Sequence, residues 1–213
     1  MKFKAVIFDL DGVICSTDEY HYLAWKALAD MIGVTDFTRE DNKLQRGVSR
    51  MESLEVVLKK SSKVYSDEQK VTLAETKNDI YKNMLAGMSE KDLDEDVSTT
   101  LKALREKGLK LAIGSSSKNT PFILERLGLG NFFDAVADGN CVTHSKPDPE
   151  VFLKAAEFLK MQPCDCLVVE DAVAGVNAGI AGGFKVAGLG EAKGYEKTTY
   201  QLSKFSDLLK VVD

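Results

Sequence analysis

A doubly wound parallel α/β sheet carrying an inserted helical domain is the fold that this sequence predicts, on three observations. Residues 4–10, KAVIFDL, are a short apolar run rich in β-formers, as expected of a strand buried on both faces. From about residue 96 onward, short runs of the same kind alternate with helical patterns at the spacing of βα units. Between these regions, residues 15–95 carry helical signals and no convincing strand. The expected division is therefore a core made of residues 1–14 and 96–213, with residues 15–95 inserted over the ligand edge of the sheet.

The elements follow in order. DGV ends the first strand, and from Thr17 apolar residues recur at three- and four-residue steps through Tyr20, Ala24, Ala27, Leu28 and Met31 until Gly33 stops the helix. Ser66 with Gln69 makes a capping box for a helix running to about Gly87. A helix over 97–107 precedes a strand over 109–114, and Thr120 with Pro121 opens a helix closed near Gly128. A short strand follows at 135–137. Asp148 and Pro149 then open a helix to about Leu159, 166–169 reads as a strand, 172–181 as a helix and 184–186 as a strand. Residues 201–212, QLSKFSDLLKVV, are expected to form a closing helix.

Composition narrows the function classes. The 213 residues are 44% hydrophobic, enough for one sizeable core and a small second one. Acidic residues number 33 against 28 basic, mixed along the chain, so no basic stripe marks a nucleic acid or an anionic membrane as partner. No run approaches the roughly 20 apolar residues that span a bilayer. Asp9 and Asp11 interrupt the N-terminal apolar stretch before it could act as a signal peptide, so a cytoplasmic location is expected. The four cysteines, Cys15, Cys141, Cys164 and Cys166, match no zinc or redox spacing and are expected to be free thiols.

The chemistry concentrates at strand ends. Asp9 and Asp11 lie where the first strand breaks, and residues two apart in extended chain point the same way. One carboxylate can attack phosphorus while the other passes a proton to or from the transferred oxygen. Asp-rich strand ends are also ordinary turn formers, so the pair alone leaves both readings open. Glu170 and Asp171 follow the buried run LVV, at what should be another carboxyl strand end. Four acids converging without matching bases call for a cation, and hard oxygen ligands suit Mg2+. After the strand LAI, the loop GSSSKN offers an anion nest at Ser115, Ser116 and Ser117, with Lys118 and Asn119 beside it. Lys146, in HSKPDPE, offers a fixed positive charge.

The order DLDGV, a serine after the second sheet strand, SKPDP and then VVEDA resembles the haloacid dehalogenase (HAD) superfamily across the whole core. FDLDGVI, EYHYLAWKAL, RGVSR and SSSKN are similar, more narrowly, to its sugar-phosphate mutases. That resemblance implies a HAD core with an inserted α-helical cap, Asp9 as a nucleophile that becomes an aspartyl-phosphate, and Asp11 as general acid and base. It implies Mg2+ held by the Asp9 side chain, the Asp11 carbonyl, Glu170 and Asp171, with Ser115 and Lys146 on the transferring phosphoryl group. It places His21 where Asp11 is oriented, Arg50 as a clamp for the remote phosphate and Lys77 as a sugar-side contact, helped by Ser117 and Asn119. Trp25 and the loop Gly47, Val48, Ser49 would shape the sugar pocket. The implied reaction interconverts β-glucose 1-phosphate and glucose 6-phosphate through a hexose bisphosphate, in a monomer.

Two positions depart from the family pattern. Glu95 and Asp96 stand where a Pro-Gly turn is usual, and Ala172 stands where the mutases tend to carry serine. A phosphatase acting on small sugar phosphates or phosphoglycolate would share the same core, because water then replaces the sugar as acceptor. A noncatalytic binding protein would not require Asp9 and Asp11 alongside Glu170 and Asp171. Without the resemblance, His21 and Lys77 also read as solvated residues of the insertion.

Overall fold

The computed structural model describes residues 2–45 and 48–213. Six parallel strands form one sheet in the order β3-β2-β1-β4-β5-β6, namely β1 (Ala5–Phe8), β2 (Lys110–Gly114), β3 (Ala135–Ala137), β4 (Cys166–Glu170), β5 (Lys185–Gly188) and β6 (Tyr200–Gln201). The chain builds outward from β1 to β3 and then returns to lay β4 on the other side of β1. The crevice at the carboxyl ends of β1 and β4 is thus the switch point where sheets of this kind hold ligands.

Strand alternation sorts the core into two layers. Val6 and Phe8 join Leu111, Ile113, Leu167 and Val169 on one face, packed with α5 (Glu95–Glu106), α6 (Thr120–Arg126) and α9 (Leu208–Val212). Ala5 and Ile7 join Ala112, Cys166 and Val168 on the other, under α7 (Glu150–Leu159) and α8 (Val173–Ala181). All five residues Cys166–Glu170 are buried, which is why LVV reads as a continuous apolar run.

Between β1 and β2 lie α1 (Asp18–Met31), α2 (Arg39–Lys43), α3 (Arg50–Leu58) and α4 (Asp67–Leu85). They enclose a core of their own from Trp25, Leu28, Ala29, Val34, Phe37, Leu54, Val57 and Ala74. Ala24, Tyr81, Leu85 and Met88 instead belong to the apolar cluster of the sheet, so α1 and α4 root the insertion on the α/β layer. Ser66 caps α4 in the expected reciprocal box with Gln69.

One expected element is corrected. Residues 201–212 are not a single helix: Gln201 pairs with Gly188 in β6, a short turn spans Phe205–Asp207, and only Leu208–Val212 is α-helical. The Asp207 carboxylate accepts from the N–H groups of Ser203 and Lys204, which turns the chain before α9 begins. At the family's Pro-Gly position, Asp94 caps α5 instead through the Asp96 N–H, and the Asp96 carboxylate accepts from the Ser206 N–H 3.1 Å away. Among the described residues no helix is long and apolar enough to cross a membrane. The four cysteines are free thiols, two buried and two exposed.

Candidate active site

Asp9 follows β1 directly, and its N–H donates to the Val169 carbonyl at 2.9 Å, so the β1–β4 pairing fixes its backbone. Asp9 is 7% exposed, and Lys146 Nζ donates to Asp9 Oδ1 at 2.5 Å and to Glu170 Oε1 at 2.6 Å. Lys146 is itself buried. Burial opposes its charge, but Asp9 and Glu170 outweigh that and hold the ammonium above its ordinary range. Asp9 is raised well above the usual carboxylate range by burial, with Lys146 opposing and Glu170, Asp171 and Asp11 adding to the rise.

Oxygens of Asp9, Glu170 and Asp171 lie within 4.8 Å of one another. Glu170 uses its second oxygen to accept the N–H groups of Asp171 and Ala172, at 2.9 and 3.0 Å. Backbone N–H groups therefore orient this carboxylate, one of them from Ala172, which stands where the mutases tend to carry serine. Two glycines clear the space: a Cβ on Gly175 would stand 1.8 Å from Glu170 Oε1, and one on Gly12 (φ +85°) would stand 2.2 Å from Asp171 Oδ2. Such a cradle of hard, converging carboxylates, each raising the proton affinity of Asp9, fits a divalent cation. A second group, His144, Asp148 and Glu150, lies at the surface, where Glu150 is already taken up by the N–H groups of Thr143 and His144.

Asp11 is partly buried and receives the hydroxyl of Thr17 on Oδ1. Thr17 occupies the N-cap of α1, yet its side chain makes no capping bond. The hydroxyl that ordinarily caps a helix is turned to the carboxylate instead. Burial raises Asp11 above its ordinary value, and the Thr17 bond opposes that rise, as do Lys146 and Lys77.

The GSSSKN loop closes the core wall. Ser115 is buried, its N–H donating to Ala137 and its Oγ accepting from the Ser117 N–H at 3.1 Å. Ser117 Oγ in turn accepts from the N–H of Asn119, the N-cap of α6. Ser116 and the exposed Lys118 line the same cavity.

The insertion supplies the facing wall of this cavity of about 640 Å3. Lys77 is only 3% exposed, its Nζ 2.8 Å from His21 Nδ1 and 4.7 and 4.5 Å from the ring centres of Trp25 and Tyr81. The solvated reading of Lys77 therefore fails. Burial lowers it to about 7, with Arg50 adding to the drop and Asp11 resisting it. His21 packs against Tyr81 with centroids 4.1 Å apart and the rings tilted by 31°, and burial, then Lys77 and Arg50, hold it well below its ordinary value, so its ring is neutral. Arg50 Nη2 donates to Asn78 Oδ1 at 2.9 Å, and Asn119 Nδ2 donates to that same oxygen at 2.9 Å. Val48 and Ser49 line the cavity, with Ser49 also capping α3, while Gly47 lies outside the described residues.

Every other candidate residue lines this one cavity. Sequence reasoning missed Thr17, Tyr81 and Asn78. Thr17 had a signal, its place at a helix start, which pointed to capping; Asn78 lies four residues after Ala74 and Tyr81 four after Lys77, on the inward side of α4.

Comparison with known proteins agrees with this arrangement. Residues 3–183 match the family model described as haloacid dehalogenase-like hydrolase. The chain is 40% identical to a β-phosphoglucomutase of Bacillus subtilis over 192 residues, covering 89% of this chain and 84% of the relative. It is 29% identical to a phosphorylated carbohydrates phosphatase of Thermotoga maritima, covering 85% and 82%. The crystal structure of a β-phosphoglucomutase from Clostridium difficile superposes with a TM-score of 0.92 at 33% identity, covering 99% of this chain and 95% of that one. With the sheet order, the acidic strand ends and the family match in agreement, this chain belongs to the haloacid dehalogenase-like hydrolases.

Proposed function

We propose that this chain interconverts β-D-glucose 1-phosphate and D-glucose 6-phosphate through a phosphorylated Asp9 and glucose 1,6-bisphosphate. The observation that carries the reading is a cavity with cations on both walls: Lys146 beside Asp9 on the core wall and, facing it, Arg50 on the wall of the insertion. A phosphatase needs only the first. A mutase must also hold the phosphate that is not reacting while the bisphosphate turns around, and a planar guanidinium suits that task. The mutase names of the Bacillus subtilis and Clostridium difficile relatives support this reading, and the Thermotoga maritima relative marks the phosphatase alternative.

In the forward step a sugar hydroxyl attacks phosphorus on Asp9, the Asp9 Oδ–P bond breaks, and Asp11 takes the hydroxyl proton. After the bisphosphate reorients, Asp9 Oδ attacks its other phosphorus and Asp11 returns the proton to the departing ester oxygen. The burial that raises the proton affinity of Asp11 suits a group that must hold this proton between the two steps. Ser115 and Lys146 hold the transferring group; Ser116, Ser117, Lys118, Asn119 and Arg50 receive the remote phosphate; Trp25, Val48, Ser49 and Lys77 frame the sugar. His21 orients Asp11. Mg2+ would be held by Asp9, the Asp11 carbonyl, Glu170 and Asp171, and when bound it supplies charge that offsets the phosphoryl oxygens. Residues 15–95 act as the cap that keeps water from phospho-Asp9.

The test is to incubate the protein with labelled glucose 1,6-bisphosphate, quench in acid and locate the label. Label on Asp9, absent from Asp9→Asn, is expected. Undiminished label in Asp9→Asn would overturn the nucleophile assignment.

A further inference from the structure

We infer that Asn78 is the positioning residue of the remote-phosphate clamp, setting how tightly a doubly phosphorylated sugar is held; this rests on the mutase reading above. Its Oδ1 accepts from Arg50 on one side and from Asn119 on the other, both at 2.9 Å. A carboxamide oxygen has two lone pairs, so these donors saturate it. Arg50 opens α3 in the insertion, Asn119 caps α6 on the sheet layer, and Asn78 lies on α4. One oxygen therefore ties three helices and both walls of the cavity.

The chemistry of that oxygen matters. A guanidinium carries five N–H donors in a fixed fork, so a single bond to Asn78 sets its plane and leaves donors for an incoming phosphate. Asn119 has a second amide hydrogen to offer the same anion. Because Asn78 is neutral, holding one donor does not neutralise the guanidinium, and the remaining donors keep their charge-assisted bonds for phosphate. A carboxylate there would compete with the phosphate for Arg50 and repel it. Alanine would leave both donors without the acceptor that fixes their spacing. Burial lowers Arg50 from its ordinary value, and the Glu75 and Asp79 carboxylates on either side of this stretch of α4 oppose that drop.

The test is calorimetric binding of glucose 1,6-bisphosphate with Mg2+ in the Asp9→Asn background, where transfer is blocked. Asn78→Ala should weaken binding about tenfold, and the nearly isosteric Asn78→Asp by more than that. When Arg50→Ala is already present, Asn78→Ala should cost clearly less than tenfold, because only its hold on Asn119 is then left to lose. A merely structural role would give the same loss with and without Arg50. That equality, or affinity unchanged in both Asn78 variants, overturns the inference while leaving the mutase reading intact. An Asp9→Asn protein with Asn78 intact that binds no bisphosphate would overturn both.

Discussion

Lys77→Met should stabilise the fold in acid and much less in alkali, while disabling the site. The substitution keeps a long, flexible apolar stem and removes the ammonium from beneath Trp25 and Tyr81. Burial is the leading cause that lowers this lysine from 10.5 to about 7. A lysine whose folded value is depressed destabilises the native state fully below that value, and the penalty fades as pH rises toward the unfolded value. At about 1.4 kcal/mol per pH unit, the penalty at pH 6 is on the order of 5 kcal/mol, and about 1 kcal/mol remains at pH 9.5. Lost cation–π contacts offset roughly 1–2 kcal/mol of the gain at pH 6, and nothing at pH 9.5, where the folded lysine is already neutral. The variant should then exceed wild type by about 3–4 kcal/mol at pH 6 and by only about 1 kcal/mol at pH 9.5. Urea unfolding followed through Trp25, the single tryptophan, measures both. A wild-type-to-variant gap that is the same at the two pH values would refute the claim that Lys77 is charged at a desolvation cost, and the functional price of its removal would need another explanation.

Two further outcomes follow from particular contacts. Gly175→Ala places a Cβ against the Glu170 carboxylate, so the Mg2+ concentration for half-maximal activity should rise about 10- to 100-fold while the helix tolerates alanine; an unchanged midpoint would mean that Glu170 does not serve the cation. Thr17→Val removes a donor that favours the Asp11 carboxylate, so the Asp11 value should rise and the acidic limb of the pH–rate profile should move to higher pH by up to about one unit; a limb that stays in place would dissociate it from Asp11.

The centre of the sheet was legible because β1 and β4 are buried on both faces: KAVIFDL and CLVV have no other economical place than a parallel sheet, and the acids that end them fall at these adjacent strands. The closing segment misled because Leu202, Phe205, Leu208 and Val212 are spaced like a helical face, whereas they bury against one cluster from a strand, a turn and a short helix. Charge hid the wall formed by the insertion. DEQKVTLAETKNDIYK reads as a solvated helix, and only packing against α1 shows that Lys77 and Asn78 turn inward together with Tyr81. Nor can a sequence show that Thr17 gives its hydroxyl to Asp11 in place of its own helix, since both uses require the same residue at the same position.

The most direct measurement of the central claim supplies Mg2+ and a trace of glucose 1,6-bisphosphate with each anomer of glucose 1-phosphate, and quantifies glucose 6-phosphate and inorganic phosphate separately. The mutase account expects the β anomer to become glucose 6-phosphate with far less than stoichiometric phosphate, because the cavity holds the bisphosphate at Arg50 while phospho-Asp9 is shielded from water. Stoichiometric release of phosphate, with no glucose 6-phosphate from either anomer, would contradict it and make the chain a phosphatase.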